Sequence, residues 1–147
     1  MTNEHDENEQ QAPLDFTGTI WDEVDRVLAG ITARPDRSVL DLMVHIPRDE
    51  VIEGLKRLKS DEGLNFNYLR CLTAVDHEDE GMEVVYHLYS TDKKHNLTVK
   101  TALSNDDLTL DTATTVWKAA NWLERETAEM FGIRFNGHPD PRTLLMP

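Results

Sequence analysis

Apolar residues recur along this chain with two periods, and the changes of period divide it into elements. Between 19 and 29, Ile20, Val24, Val27 and Leu28 fall at helical spacing, with Thr19 placed to cap the start and Gly30 to stop the end. The stretch 38–46 alternates instead. Leu40, Leu42, Val44 and Ile46 line one side, Val39, Asp41, Met43 and His45 the other, and Pro47 ends the strand. A second helix is predicted over 48–61 from Val51, Leu55 and Leu58. Asp49 and Glu50 open it, Lys56, Arg57 and Lys59 close it as the macrodipole favours, and Gly63 is its expected C-cap.

Three strands are predicted next, over 69–77, 82–90 and 96–103, joined by loops of hairpin length. Opposing His77 with Met82 brings Val75 to Val84, Thr73 to Tyr86 and Cys71 to Leu88. Opposing Leu88 with Leu97 brings Tyr86 to Val99 and Val84 to Thr101. Together these registers gather Leu69, Cys71, Val75, Met82, Val84, Tyr86, Leu88, Leu97, Val99 and Leu103 on one face, which predicts an antiparallel meander with one buried side. Residues 105–107 form a turn. The last helix, capped by Asp111 or Thr112, has an apolar face of Val116, Ala120, Leu123, Thr127 and Met130 and stops at Gly132.

The order α-β-α-β-β-β-α predicts an α+β fold, a two-layer sandwich with helices on one face of a mostly antiparallel sheet and an irregular C-terminal tail. The strand–helix–strand unit should cross right-handedly, making the first strand parallel to its nearest partner in that unit. Three parts follow from this reading: an acidic tail over 1–14 with almost nothing to bury, the domain over 15–132, and a C-terminal docking tail over 133–147.

Composition narrows the chemistry. The net charge is −13, from 28 acidic and 15 basic residues, so phosphate backbones would be repelled and nucleic acid is an unsuitable partner. No apolar run is long enough to span a bilayer; work at a membrane would require other proteins to hold the chain there. The single Cys71 cannot form an internal disulfide or supply a multi-cysteine cluster, and it fits a reducing cytoplasm. Neither a dinucleotide fingerprint nor a P-loop occurs. The acidic run 76–80 lacks calcium-loop spacing and reads as a solvated hairpin tip. His77, His87 and His95 lie on or beside adjacent strands, but the predicted register points His77 into the apolar face and His87 to the other, so they do not converge on a metal.

The remaining feature is a reversal of helix chemistry. Glu124, Glu126 and Glu129 crowd the end of the last helix, where the macrodipole favours cations, and Arg134, His138 and Arg142 follow in the tail. Arg125 can pair with Glu129 one turn on, and the tail cations can fold back onto the carboxylates. The same groups could pair across an interface, or a carboxylate and His138 could form an acid–base site.

The stretches Glu124-Arg125-Glu126, Glu129-Met130-Phe131-Gly132-Ile133 and Gly137-His138-Pro139-Asp140, then Arg142 and Leu144-Leu145, resemble the signature of the C-type subunit of respiratory complex I, the NADH-quinone oxidoreductase small hydrophilic subunit. In the same order upstream, Leu72-Thr73-Ala74-Val75-Asp76, the run from Glu83 to Ser90 and Trp117-Lys118-Ala119-Ala120-Asn121-Trp122 also resemble it. Glu129 stands where the family commonly has Asp, and Pro141 and Thr143 replace its usual Leu and Arg. The resemblance implies a non-catalytic subunit of the peripheral arm, at the cytoplasmic face of the membrane. It would pack on the larger D-type subunit, which helps form the quinone site, close to the B- and I-type subunits. It also implies no cofactor in this chain; iron–sulfur clusters, FMN and quinone would belong to the wider complex. Glu124, Arg125, Glu126, Glu129, Phe131, Gly132, Arg134, His138, Pro139, Asp140 and Arg142 would be interface and scaffold residues. The same subunit type serves F420H2 dehydrogenases and membrane-bound hydrogenases, so the electron donor is left open.

Overall fold

The computed structural model describes residues 16, 19–37 and 42–139. Helix α1, Trp21–Val27, buries Val24, and the chain packs Leu28 before turning through Gly30 at φ +87°. Thr19, the expected N-cap, lies one residue too early: Ile20 is the N-cap without a side-chain bond, while the Thr19 hydroxyl accepts from the Trp21 amide at 3.2 Å and donates to the Phe16 carbonyl at 2.6 Å.

The strand predicted over 38–46 is present in its described part as strand β2, Leu42–His45, with Leu42, Val44 and Ile46 buried; residues 38–41 lie outside the described residues. It pairs antiparallel with a strand that the pattern does not predict, β1, Arg34–Arg37. Pro35 argues against a strand in the sequence, yet β1 is an edge strand, where a missing amide donor is tolerated. Helix α2, Val51–Ser60, buries Val51, Gly54, Leu55 and Leu58. Gly63 does not cap it. The chain leaves through Asp61 in an extended conformation, and the Asp61 carboxylate accepts from the Leu64 amide at 3.0 Å.

Strands β3 (Tyr68–Asp76), β4 (Met82–Ser90) and β5 (His95–Leu103) form the expected meander, and the five strands run in the order β1-β2-β5-β4-β3. Strand β2, which leads into α2, pairs in parallel with β5 and not with β3, the strand that follows α2 and lies at the far edge of the sheet. Leu88 opposes Leu97, Tyr86 opposes Val99 and Val84 opposes Thr101, as predicted. The β3 register differs. Asp76, not His77, opposes Met82, and Ala74, Leu72 and Leu69 meet Val84, Tyr86 and Leu88. A bulge between Leu69 and Cys71 shifts the phase, so Leu69, Leu72 and Ala74 face the core. Val75 is 43% exposed, Cys71 is only half-buried, and His77 is exposed in the loop. The loop is one residue longer at its start than predicted: the His77 amide donates to the Gly81 carbonyl at 2.8 Å across a short 3-10 turn, Glu78–Glu80.

Two three-residue strands were not legible: β6, Thr109–Asp111, and β7, Arg134–Asn136, which pair in parallel. Between them lies helix α3, Ala120–Phe131, ended as predicted by Gly132 in the left-handed conformation at φ +74°. Its predicted caps serve elsewhere. Asp111 closes β6, Thr112 binds Glu124, and Ala119 occupies the N-cap without a side-chain bond. The helix packs on β3 through Ala120, Glu124 and Thr127. Met130, expected on that face, is 75% exposed. The buried residues of all three helices and the inner sheet face form one core cluster, the expected two-layer α+β arrangement.

Candidate functional site

The acids of α3 divide by direction. Residues 120, 124, 127 and 131 fall on the side turned to the sheet, while 122, 126 and 129 fall on the opposite side and 130 on the flank beside 126, as a 100° advance per residue requires. Glu124 is therefore driven into the core and is 0% exposed. Its carboxylate accepts from the Thr112 hydroxyl and from the Ala113 amide at 2.6 Å. The Thr112 oxygen in turn accepts from the Thr114 amide at 3.1 Å. Glu124 thus holds the β6–α3 connection by its first turn.

His138 closes the other side. Gly137, at φ +84°, turns the chain after β7, and the His138 side chain is 4% exposed. Its Nε2 lies 3.0 Å from the Asn121 carbonyl and 4.0 Å from Glu124 Oε1. Burial pushes the Glu124 carboxyl above its ordinary range. The Ala113 amide, the Thr112 hydroxyl and His138 pull the other way without overcoming that cost. The phenol of Tyr86, fully buried beneath, is also pushed up, by burial first and then by Glu124 and Asp111. Thr127 completes the inner face: its hydroxyl lies 2.9 Å from the Leu123 carbonyl and 3.3 Å from that of Leu72, tying helix to strand.

The structure thus brings Glu124 and His138 together and separates Glu126 and Glu129 from them. Both of those are exposed. Arg125 lies half-buried, its guanidinium 5.7 Å from the centre of the Trp122 ring, and neither Arg125 nor Glu129 is without a partner. Phe131 packs against the core. Arg134 is exposed on β7, its backbone amide donating to Leu108 at 2.8 Å, and it makes no ion pair among the described residues. Pro139 is exposed, and Asp140 and Arg142 lie outside the described residues.

The three histidines have separate partners. His77 faces Glu83 at 3.4 Å, His87 faces Thr98 at 3.3 Å, and His95 lies 2.7 Å from the Leu64 carbonyl. No group of three or more His, Cys, Asp or Glu among the described residues could hold a metal ion. Sequence reasoning missed a charge ladder on the open sheet face, where His45 meets Asp36 at 3.5 Å and Glu83 at 3.7 Å. It also missed the clamp of Arg48 onto Asp107 and onto the Thr109 carbonyl. The first arises from cross-strand register and the second from two connecting segments brought together by the fold, neither of which a local pattern shows.

A family model described as the respiratory-chain NADH dehydrogenase 30 Kd subunit matches residues 44–147. The chain belongs to that family. Among its relatives, the C-type subunit of the NADH-quinone oxidoreductase of Geobacter metallireducens is 37% identical over 134 residues, which cover 84% of this chain and 82% of that one. The same subunit from Citrifermentans bemidjiense is 40% identical over 108 residues, covering 72% of this chain and 66% of the relative. The chain therefore spans a little under two thirds of that relative's length. Two solved structures share the fold. The trypsin-resistant fragment of Nqo5 has 30% identity and a TM-score of 0.69, covering 82% of this chain and 96% of that one. A chain of the membrane-bound sulfane sulfur reductase, an archaeal respiratory membrane complex, has 27% identity and a TM-score of 0.74, covering 86% and 75%. In this member of the 30 Kd family no described helix is long and apolar enough to cross a membrane.

Proposed function

We infer that this chain is a scaffold subunit in the peripheral arm of a proton-translocating NADH:quinone oxidoreductase. It docks on the D-type subunit near the quinone site, with the B- and I-type subunits close by, and partners hold it at the cytoplasmic face of the membrane. It catalyses no step and carries no cofactor; iron–sulfur clusters, FMN and quinone belong to the rest of the complex. The C-terminal segment from α3 onward is the docking element.

The direction of Glu124 carries this reading. An acid–base site needs a carboxylate that reaches a substrate alongside its imidazole. Here the carboxylate beside His138 is fully buried and engaged by Thr112 and Ala113, so the pair secures β7 and α3 to the core. Glu126 and Glu129, which do reach solvent, lie on the other side of the helix from that pair. The likeness to a chain of a sulfane sulfur reductase complex supports a second version, in which the same subunit serves a complex with another electron donor.

The test is co-purification of the tagged chain from native membranes in mild detergent. Recovery of the D-type subunit with quinone reductase activity is the expected result, and the chain alone emerging from those membranes would overturn the reading. Arg142→Ala should reduce recovery of the D-type subunit more than it lowers the melting temperature of the chain; the reverse would make the cluster internal scaffolding. Turnover by the purified chain that Glu126→Gln abolishes would establish an enzyme instead.

A further inference from the structure

The outward stripe of α3 combines features that water does not favour. Trp122 is 54% exposed and Met130 75%, the two most exposed large apolar side chains among the described residues. They stand eight residues apart, about 12 Å along the helix axis and about 80° around it, on the ridge that runs through Glu126. Glu126 and Glu129 lie between them. These two carboxylates are three residues apart, a spacing at which like charges repel. They also sit toward the negative end of the macrodipole, and no basic residue occupies the last turn. Glu126 makes no ion pair among the described residues. Each feature alone is ordinary for a surface helix. Their coincidence on one stripe, opposite a well-buried inner face, is a surface completed by something else.

The geometry points to a basic amphipathic segment of a neighbouring protein in the complex laid along α3, its apolar residues covering Trp122 and Met130 and a Lys or Arg set against Glu126. This deepens the docking proposed above and rests on it, since it names the chemistry of the partner surface. Charge complementarity decides the occupant. A second copy of this chain would set Glu126 and Glu129 against acids of the same stripe, or against a surface of net charge −13. A neutral apolar partner would strand the Glu126 carboxylate in a drying interface with its charge unmatched. A cation set against Glu126 relieves the repulsion and the dipole conflict, while the apolar residues of the same segment cover Trp122 and Met130.

The test uses the full chain in its native membrane complex, with a benzophenone amino acid in place of Met130 and, separately, of Trp122. Irradiation should join both positions to one stretch of a neighbouring protein that carries Lys or Arg among apolar residues. In parallel, Glu126→Lys should lower recovery of the complex at least tenfold and Glu126→Asp should restore most of it. Met130→Ser and Glu126→Lys should not lower the melting temperature of the purified chain. Adducts with a second copy, adducts with an acidic stretch, or no adducts from a chain that still co-purifies would overturn the inference and leave the docking reading standing. A chain that does not co-purify would remove both.

Discussion

Replacing Glu124 by Gln should remove a specific component of the pH dependence of stability. The folded carboxyl titrates above the ordinary glutamate value of 4.5, chiefly because burial disfavours its charged form. Between 4.5 and the raised value, the folded chain therefore holds a proton that the unfolded chain has lost. Stability from this group is full below that window and falls as pH rises through it, by up to about 1.4 kcal/mol per pH unit for one proton. Asp36 and Asp107 act in the opposite sense. The Arg37 amide and the Arg48 guanidinium respectively hold them low, so their contributions are lost on acidification, below the window. Gln has the volume of Glu, and its carbonyl can keep the Ala113 bond while Thr112 turns to accept from the amide nitrogen. It exchanges charge-assisted bonds for neutral ones, a loss of about 1–3 kcal/mol, and removes a desolvation cost of several kcal/mol, so the two chains should agree within about 2 kcal/mol at neutral pH. Ala at the same position orphans the Ala113 amide and leaves a cavity, a loss of about 3–5 kcal/mol. Urea midpoints at half-unit steps from about pH 4 to about pH 8 measure all three chains, a range that brackets the titration of a raised carboxyl. The wild-type curve should fall relative to the Gln curve with rising pH. Parallel curves, or a wild type that gains on Gln, would refute the argument from burial, and an Ala variant as stable as Gln would refute the role of the two bonds.

Other outcomes follow from single contacts. Gly81 has φ +98°, and a Cβ there would lie 2.3 Å from the Leu103 carbonyl, so Gly81→Ala should cost about 1–3 kcal/mol from conformation alone, with the clash added, in the same urea assay. The Tyr86 hydroxyl is buried with no hydrogen-bond partner among the described residues. Tyr86→Phe should therefore be neutral or stabilising, and a loss above about 1 kcal/mol by thermal unfolding would reveal a bond to that oxygen. Thr112→Val removes a donor to the buried carboxylate and should cost about 1.5–3 kcal/mol at about pH 8, and less at about pH 5, where Glu124 is protonated in a larger share of molecules.

The parts of this fold that could be read from sequence are those where one period runs uninterrupted. Strands β4 and β5 alternate cleanly, and their register follows from matching two apolar faces. Strand β3 misled because Leu69 and Leu72 are both core residues three apart, a spacing impossible in a regular strand. The choice of Leu69, Cys71 and Val75 kept the period regular and lost the bulge that makes the true set possible. The strand β1 was hidden by Pro35 and its charges, which edge position makes harmless. The charged residues of the C-terminal cluster were legible as an anomaly, but not their directions. Glu124 lies four residues after Ala120 and three before Thr127, so helical spacing alone puts it on the inner stripe. A rule that keeps carboxylates out of cores hides that placement unless a buried donor pair is known to await them.

The reversed charge of α3 is then two arrangements on one helix. The inner carboxylate has its compensation built from this chain: a hydroxyl, an amide and an imidazole, drawn from the segment before the helix and the segment after it. This makes Glu124 the point at which β6, α3 and β7 become one unit, and it explains why a buried acid is kept in preference to a leucine that would pack as well. A leucine would leave the Ala113 amide unsatisfied and take the carboxylate away from His138, whose Nε2 would keep the Asn121 carbonyl alone. Glu126, on the outer side, has no such set of donors from the flanking segments. A helix held rigid on its inner side and left with apolar and acidic groups on its outer side is pre-organised for a partner, because ordering the docking surface has already been accomplished by folding.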